Sequence, residues 1–210
     1  MLVGLLGCRS GSPPSSPATL ELPPLSFRAL YRLDCCQLQN LLLIVHAGEE
    51  GLTLETAGGP GGVMGAVWVG ANEVLQRHGG SCVVRWTDQG LPLAGGRVLP
   101  LEAPVLRALL AGRLPAGGEE VAPGRWELNQ PGRNLVVTVR GDPARWVEAW
   151  LELPQGRWHV VASQHHGRVP GVLRISGPGG EIRLQLVEFR PQKAVTPPTW
   201  VALPPCGGTW

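Results

Sequence analysis

The residues of this chain that could carry chemistry are first its five cysteines, Cys8, Cys35, Cys36, Cys82 and Cys206. Cys35 and Cys36 are adjacent, so each would need its own disulfide partner, and Cys82 and Cys206 are the candidates in an oxidising compartment. The alternative is that these cysteines are small buried apolar side chains. No two cysteines form a Cys-x-x-Cys pair, so the spacing predicts neither a zinc site nor a thioredoxin-like redox site.

The histidines, glutamates and serines do not form a catalytic or metal-binding pattern. His165 and His166 are adjacent near a predicted turn, and neighbouring strand residues point to opposite faces, so the pair is poorly placed to hold one metal ion. The glutamate pairs at 49–50 and 119–120 lie in glycine-rich segments, which favours solvated side chains over a general acid and base. No serine has the Gly-x-Ser-x-Gly setting of a nucleophile. We therefore expect no catalytic residue, no metal and no cofactor.

Cys8 has a separate chemical possibility, because it directly follows the residues Leu-Leu-Gly. An apolar pair and a small residue before a cysteine form a bacterial lipobox, whose cysteine is acylated after signal-peptide cleavage. Residues 9–24 are rich in serine, proline and glycine and cannot bury enough apolar surface to become ordered. We expect 1–7 to be a signal-peptide remnant and 8–24 a lipidated flexible tether. The alternative is an unmodified cysteine after a short apolar start that lacks a basic residue.

The rest of the chain has the composition of an all-β protein. Hydrophobic residues make up 43% and charged residues 16%, with a net charge of +2 and no basic block, which argues against a disordered chain or a nucleic-acid-binding protein. The 30 glycines and 21 prolines separate short apolar runs. Ile182, Leu184 and Leu186 alternate with more polar residues, which is typical of an antiparallel strand with one buried face. No apolar run is long enough for a transmembrane helix.

One segment, 101–111, has the pattern of a helix. Pro104 lies in its first turn and Gly112 just past its end, which is the usual asymmetry of helix termini. Leu101, Val105 and Leu109 share one face, and the segment is too apolar to be solvated all round. We expect it to pack into the concave face of a sheet as a plug or lid.

About eleven strands in meander order, together with this helix, predict a mainly β fold. The expected architecture is a curved antiparallel sheet, an open or half β-barrel, over residues 25–193. Residues 194–210 would form a tail with a possible edge strand around 200–203. One helix fills part of the concave face, so a leftover cavity would accept an apolar ligand.

Tryptophan is unusually frequent, with eight residues against two phenylalanines and one tyrosine. A large apolar ring with one N–H donor suits the wall of an apolar cavity, although each tryptophan could equally fill the core. Trp146 and Trp150 are four residues apart on one strand, so alternation places both on the same face, which we expect to be the convex one. Trp86, Trp126 and Trp158 are the candidates for cavity walls.

A series of short motifs supports this interpretation by their order along the chain. They are Leu99-Pro100-Leu101-Glu102, Leu110-Ala111-Gly112-Arg113-Leu114-Pro115, Gly124-Arg125-Trp126, Gly156-Arg157-Trp158-His159-Val160, Val169-Pro170-Gly171-Val172-Leu173-Arg174-Ile175 and Glu181-Ile182-Arg183-Leu184-Gln185-Leu186, ending at Phe189. Together with the lipobox, this order resembles the outer-membrane lipoprotein receptor LolB and its LolA-like superfamily. The better match covers about 98–190, and none of the motifs is catalytic.

The resemblance implies an open β-barrel with a helical lid, whose apolar cavity receives acyl chains of lipoproteins, or of other lipids, at the periplasmic face of the outer membrane. Expected partners are a LolA-like periplasmic carrier and the membrane itself, reached through the lipid anchor on Cys8. Arg9 rather than aspartate after this cysteine favours outer-membrane sorting. The loop at 58–62 lacks the exposed leucine with which this family delivers cargo to the membrane, so Val63 and Met64 are the candidates for that role.

The expected acyl cavity and lid consist of apolar residues from the helix and from strands on both sides of it. They are Leu101, Val105, Leu106, Leu109, Leu110, Trp86, Trp126, Trp158, Leu173, Ile175, Ile182, Leu184 and Leu186. The alternative function is a non-enzymatic structural or interaction lipoprotein of an envelope assembly, with the same sheet and a filled interior. A cavity under the helix would distinguish the two.

Overall fold

Thirteen strands form one antiparallel sheet that curves without closing into a barrel. The structure is a computed structural model, and it describes residues 25–35, 38–58, 62–70, 73–78, 82–86, 90–93, 98–141, 144–178, 180–192 and 195–206. In this part of the chain a single short α-helix accompanies the sheet. The predicted curved antiparallel sheet with one short helix is confirmed.

The strands of the main sheet fall into two meanders. The first meander is β1 (Phe27–Cys35), β2 (Leu38–Ala47), β3 (Leu52–Gly58), β4 (Gly62–Val69), β5 (Val74–His78) and β6 (Cys82–Trp86). A two-stranded ribbon, β7 (Leu91–Pro92) and β8 (Val98–Leu99), and the helix α1 (Ala103–Leu110) follow. The second meander is β9 (Glu119–Ala122), β10 (Arg125–Gln130), β11 (Arg133–Arg140), β12 (Arg145–Leu153), β13 (Gly156–Ser163), β14 (Val172–Gly177) and β15 (Gly180–Pro191).

The two meanders join at the centre of the sheet, where β1 pairs with β15 from Phe27 opposite Pro191 to Cys35 opposite Ile182. The resulting strand order is β6-β5-β4-β3-β2-β1-β15-β14-β13-β12-β11-β10-β9. Strands β6 and β9 are therefore the two edges. Short hairpins explain this order, because a tight turn returns the chain to lie beside the strand it has just left.

The main hydrophobic core lies on the concave face of the sheet. Alternate residues of β1 are buried, which is the pattern of a strand with one face on the core. Tyr31 belongs to this buried set, and burial raises the pKa of its phenol. The core continues through both meanders and under α1, so the whole concave face forms a single apolar cluster.

The helix covers this core and is held most firmly at its C-terminal end. It begins after Glu102, whose backbone is extended, and so is shorter than the predicted 101–111. Near its end the indole N–H of Trp146 donates a hydrogen bond of 3.0 Å to the carbonyl of Leu109. Gly112 follows with φ +69°, and a Cβ there would lie 2.1 Å from the carbonyl oxygen of Arg168. A glycine is therefore required at this position both for its backbone conformation and for the close approach.

Part of the convex face is also covered, by a C-terminal segment that we call the strap, residues 195–206. It begins where Val195 packs against Gly48, forms a 3-10 turn at Thr199–Ala202, and ends at a disulfide between Cys206 and Cys82 of β6. Beneath it lies a second apolar cluster made of Ala66, Trp68, Leu75, Val83 and Trp200. This cluster explains why β4 is buried on both faces from residue 66 to residue 69.

The strap corrects two expectations. Cys82 is bonded to Cys206, so neither is the partner of Cys35 or Cys36; Cys35 is buried, and Cys36 lies outside the described residues. Residues 200–203 form a 3-10 turn and a bend instead of a strand, and the pairing with the sheet edge lies further on, at Pro205 opposite Val83. Prolines limit the strap to this short contact because they lack a backbone donor.

Two further expectations need correction. Trp146 is 2% exposed and lies on the core side, because a bulge between β11 and β12 at Thr138/Val139 interrupts the alternation, while Trp150 remains half-buried opposite His159. Glu119 and Glu120 belong to a strand, β9, that was not predicted, and the main sheet has thirteen strands where about eleven were expected. All four residues of β9 are exposed, so it lacks the apolar alternation by which strands are predicted.

Candidate ligand-binding site

A cavity of about 770 Å³ lies beside the start of α1, between the helix and the turns of the first meander. Its size is within the range of about 300–1,000 Å³ that is usual for small-molecule sites. The turn at residues 48–51 and strands β3 to β6 supply one wall. The start of α1, Gly90, Leu91 and Arg133 of β11 supply the other.

The apolar wall of the cavity is a cross-strand row. Leu52 lies opposite Val69, Val69 opposite Val74, and Val74 opposite Trp86, so four neighbouring strands each contribute one residue. Leu91 completes this wall. Residues in register across an antiparallel sheet point to the same face, and the pleat therefore aligns these side chains without any help from loops.

The rim of the cavity is charged. Arg85 forms an ion pair of 3.0 Å with Glu73, and Arg133 forms one with Glu102 at the start of the helix. These pairs are partly exposed, so each is worth at most about 1 kcal/mol. These ion pairs matter for the site because they place charged groups on two sides of the apolar wall.

One further rim contact joins the helix to the first meander. The guanidinium of Arg107 donates a hydrogen bond to the carbonyl of Gly48, in the turn between β2 and β3. Glu49 and Glu50 follow in that turn and are exposed at the cavity. Glu102 before α1 and Arg107 in its last turn thus make polar contacts at the cavity, whereas Leu106, Leu109 and Leu110 hold the helix by burial.

The arrangement of an apolar wall and a charged rim suits the binding of an amphipathic molecule. A molecule with a long apolar part could lie along the cross-strand row and leave a polar head at the charged rim. In the part of the chain that the structure describes, no group of three or more histidine, cysteine, aspartate or glutamate residues could hold a metal ion.

Most residues predicted for the acyl cavity lie in the core, not at this cavity. Those that are buried in the core are Leu101, Leu106, Leu109, Leu110, Trp126, Leu173, Ile175, Ile182 and Leu184. Val105, Trp158 and Leu186 are half-buried and pack against the same core. Trp86 is the predicted residue that lines the cavity.

The space directly under the helix is almost filled. Leu101 and Val105 line a void of about 20 Å³ together with Leu128, Leu135 and Leu151. Such a void is about the size of one water molecule, so no acyl chain fits there in this conformation.

The residues of the site that were not predicted from the sequence are those of the rim, above all Arg107 and Arg133, because no local motif marks them.

Val63 and Met64, predicted to deliver cargo to the membrane, are 51% and 55% exposed. Val63 lies opposite Ala57, which lies opposite the exposed Leu42, so Leu42 and Val63 share a face, while the thioether of Met64 lies near Gly58 and Leu41. We call the exposed residues Leu42, Val63 and Met64 the hairpin patch. Exposed apolar side chains on one face are typical of an interaction site. Residues 59–61 of the loop and the lipidation candidate Cys8 lie outside the described residues.

Comparison with known proteins does not extend this picture. No family model matches the chain, and no curated protein matches it significantly. Among the described residues, the one α-helix is far too short to cross a bilayer.

Proposed function

We propose that this protein is an outer-membrane-anchored periplasmic lipoprotein that binds the acyl chains of lipoproteins, or of other lipids, and passes them to the membrane. The observation that carries the proposal is the cavity of about 770 Å³ with its apolar cross-strand row. It lies in the concave face of an open sheet, beside a short helix of eight residues, α1, that covers this face. The resemblance to the LolB family supports the same assignment. No covalent chemistry is required.

Binding would be driven by apolar burial. An acyl chain lying along Leu52, Val69 and Val74 would remove its own surface and theirs from water, at roughly 25 cal/mol per Å². Entry requires the start of α1 to move away from the first meander. The polar contacts of Arg107 and Glu102 can break and reform at little cost, because water replaces them at the rim.

Delivery would use the exposed hairpin patch and the tether. Val63 and Met64 present apolar side chains that can enter the interface of a bilayer without unfolding the sheet. The lipid on Cys8 would keep the protein at the periplasmic face of the outer membrane, and a LolA-like carrier would supply the cargo.

The test is native mass spectrometry of a Cys8→Ala protein purified from bacterial cells, with extraction of whatever lipid remains bound. Val74→Trp places a large side chain in the cavity and should abolish the bound mass. Val161→Trp is the matched control, because Val161 is also a half-buried strand valine but lies outside the cavity. Bound lipid in the parent and control but not in Val74→Trp supports the proposal.

A second candidate is a structural or interaction lipoprotein with a filled interior. The observation in its favour is the packed space under α1, where the remaining void is about 20 Å³. A protein that carries no lipid and takes up no added acylated peptide, with Val74→Trp folded and unchanged in stability, would reject the carrier and leave this second candidate.

A further inference from the structure

The charged residues at the rim of the cavity do not cancel one another. Four glutamates and three arginines line it: Glu49, Glu50, Glu73, Glu102, Arg85, Arg107 and Arg133. Glu73 is paired with Arg85, and Glu102 is paired with Arg133. These two pairs add no net charge, so the charge at the mouth of the cavity is set by the three remaining residues.

Of these three residues, the two glutamates are the groups that a ligand meets in water. Glu49 and Glu50 are exposed in the turn between β2 and β3, and neither forms an ion pair within the described ranges. Arg107 is half-buried in the last turn of α1, and its guanidinium already donates a hydrogen bond to the carbonyl of Gly48. The mouth therefore presents two free carboxylates beside one cation that is already bonded, and its net charge is negative.

The aromatic wall of the cavity favours positive charge as well. Trp86 lines the cavity as a half-buried side chain, but its indole nitrogen is buried and has no acceptor among the described residues. The part of Trp86 that borders the cavity is therefore ring carbon, which cannot donate a hydrogen bond to an anion. Indole is the aromatic side chain that binds cations best, because the faces of its ring are negative.

We propose that the cavity selects amphipathic ligands whose head group carries an ammonium ion, which Glu49 and Glu50 bind at the mouth. The acyl chain lies along the apolar row formed by Leu52, Val69 and Val74. This inference rests on the proposed function and narrows its ligand to one chemical class. The ammonium group belongs either to a phospholipid head group or to a lysine beside the acylated residue of a lipopeptide, and the two present the same charge.

The expected preference is modest because both carboxylates are exposed. Contacts between exposed opposite charges are weak and are screened by salt. An anionic head group would instead meet two like charges. Together these effects should favour an ammonium head group over an anionic one by about three- to tenfold at low ionic strength, and the ratio should fall as salt is added.

The test measures the affinity of the full-length Cys8→Ala protein for two matched pairs of ligands, below their micellar concentrations. The first pair is a palmitoylated peptide with two lysines or two glutamates after the acylated residue, and the same peptide with two serines measures binding without charge. The second pair is lysophosphatidylethanolamine and lysophosphatidylglycerol with the same acyl chain. Glu49→Gln/Glu50→Gln should abolish the preference for the ammonium ligand and leave the affinity for the serine peptide unchanged.

Glu119→Gln/Glu120→Gln is the matched control, because it removes the same charge from another adjacent, exposed pair, on the edge strand β9 and outside the cavity. A preference within either pair of ligands that only Glu49→Gln/Glu50→Gln removes supports the proposal, and the pair that shows it identifies the lipopeptide or the phospholipid as the source. Equal or reversed affinities within both pairs overturn the proposal, as does a preference that survives Glu49→Gln/Glu50→Gln or that both variants remove. In each of these cases the serine peptide still binds, whereas its failure to bind would reject the proposed function itself.

Discussion

The two faces of this sheet are covered in physically different ways. On the concave face, α1 is held by the burial of Leu106, Leu109 and Leu110 and by one buried hydrogen bond from Trp146. On the convex face, the strap buries one large side chain, Trp200, and is fixed by a disulfide. The helix is thus held by many reversible contacts and the strap by a covalent one.

This difference decides which cover can open during ligand binding. Just before α1, Glu102 forms a partly exposed ion pair with Arg133, whereas in the last turn Arg107 is bonded to Gly48 and the carbonyl of Leu109 accepts a buried hydrogen bond from Trp146. We therefore expect the helix to swing about its C-terminal end. The strap opens only after its chemistry changes, so the convex face should remain closed while the concave face exchanges ligand.

Removing the disulfide should have the largest effect on stability. The bond joins residues 124 positions apart, for which the chain-entropy model gives about 4–5 kcal/mol. Cys82→Ser/Cys206→Ser should lower the free energy of unfolding by about that amount in urea, at concentrations low enough to exclude association. Lipid binding at the concave face should persist.

The matched control compares the wild-type protein with Cys82→Ser/Cys206→Ser in dithiothreitol, where the difference in their free energies of unfolding should vanish. A loss below about 1 kcal/mol in the oxidised comparison would show that the strap is held mainly by its apolar contacts, and that the two covers are alike.

Trp146→Phe should have the next largest effect and tests the fixed end of the helix. The substitution leaves a buried aromatic ring but removes the donor to the carbonyl of Leu109, at a cost of about 1–3 kcal/mol. The unfolding midpoint measures this loss. Hydrogen exchange should show faster opening of the C-terminal turn of α1.

Trp150→Phe is the control on the convex side. Its indole N–H donates to Glu148 at 3.2 Å in a half-buried setting, so its loss should cost less than about 1 kcal/mol. Equal losses in the two variants would contradict the assignment of Trp146 as the anchor of the cover.

The architecture could be predicted where the pattern repeats locally. Strand β15 alternates strictly from Ile182 to Leu186, and tight turns with glycine or proline separate its neighbours, so the meander follows from the sequence itself. The helix was predicted for the same reason. The side of Trp146 was predicted wrongly, because a one-residue bulge reverses the faces and leaves no mark in the alternation.

The candidate site was less predictable than the fold. Trp86 was named as a cavity wall from its residue type, whereas Arg107 and Arg133 reach the rim through contacts between distant segments. The strap was also missed as a cover, because its pairing partner, Val83, lies far away in the sequence. Local periodicity reports which face of a strand is apolar, but not which distant segment covers it.

The smallest predicted effect concerns His165, which ties the fixed end of the helix cover to pH. Its Nε2 lies 3.0 Å from the carbonyl of Trp146, so the neutral ring with hydrogen on Nε2 donates to the strand residue that anchors α1. Burial first, and then the charges of Arg145 and His166, lower the pKa of His165, although the bond to the carbonyl acts in the opposite direction. The unfolded chain therefore binds the proton more readily than the folded one, and stability should fall as the pH drops through the ordinary histidine value of about 6.5.

His165→Gln should flatten the dependence of the melting temperature on pH between about 7.5 and 5.5. The exposed neighbour provides the control, since His166→Gln should leave most of the slope in place. The prediction fails if the wild-type protein gains stability on acidification, or if the melting temperatures of the two variants depend on pH with the same slope. Protonation of His165 would then not weaken the fixed end of the helix, and the packing around Leu109 alone would anchor that end.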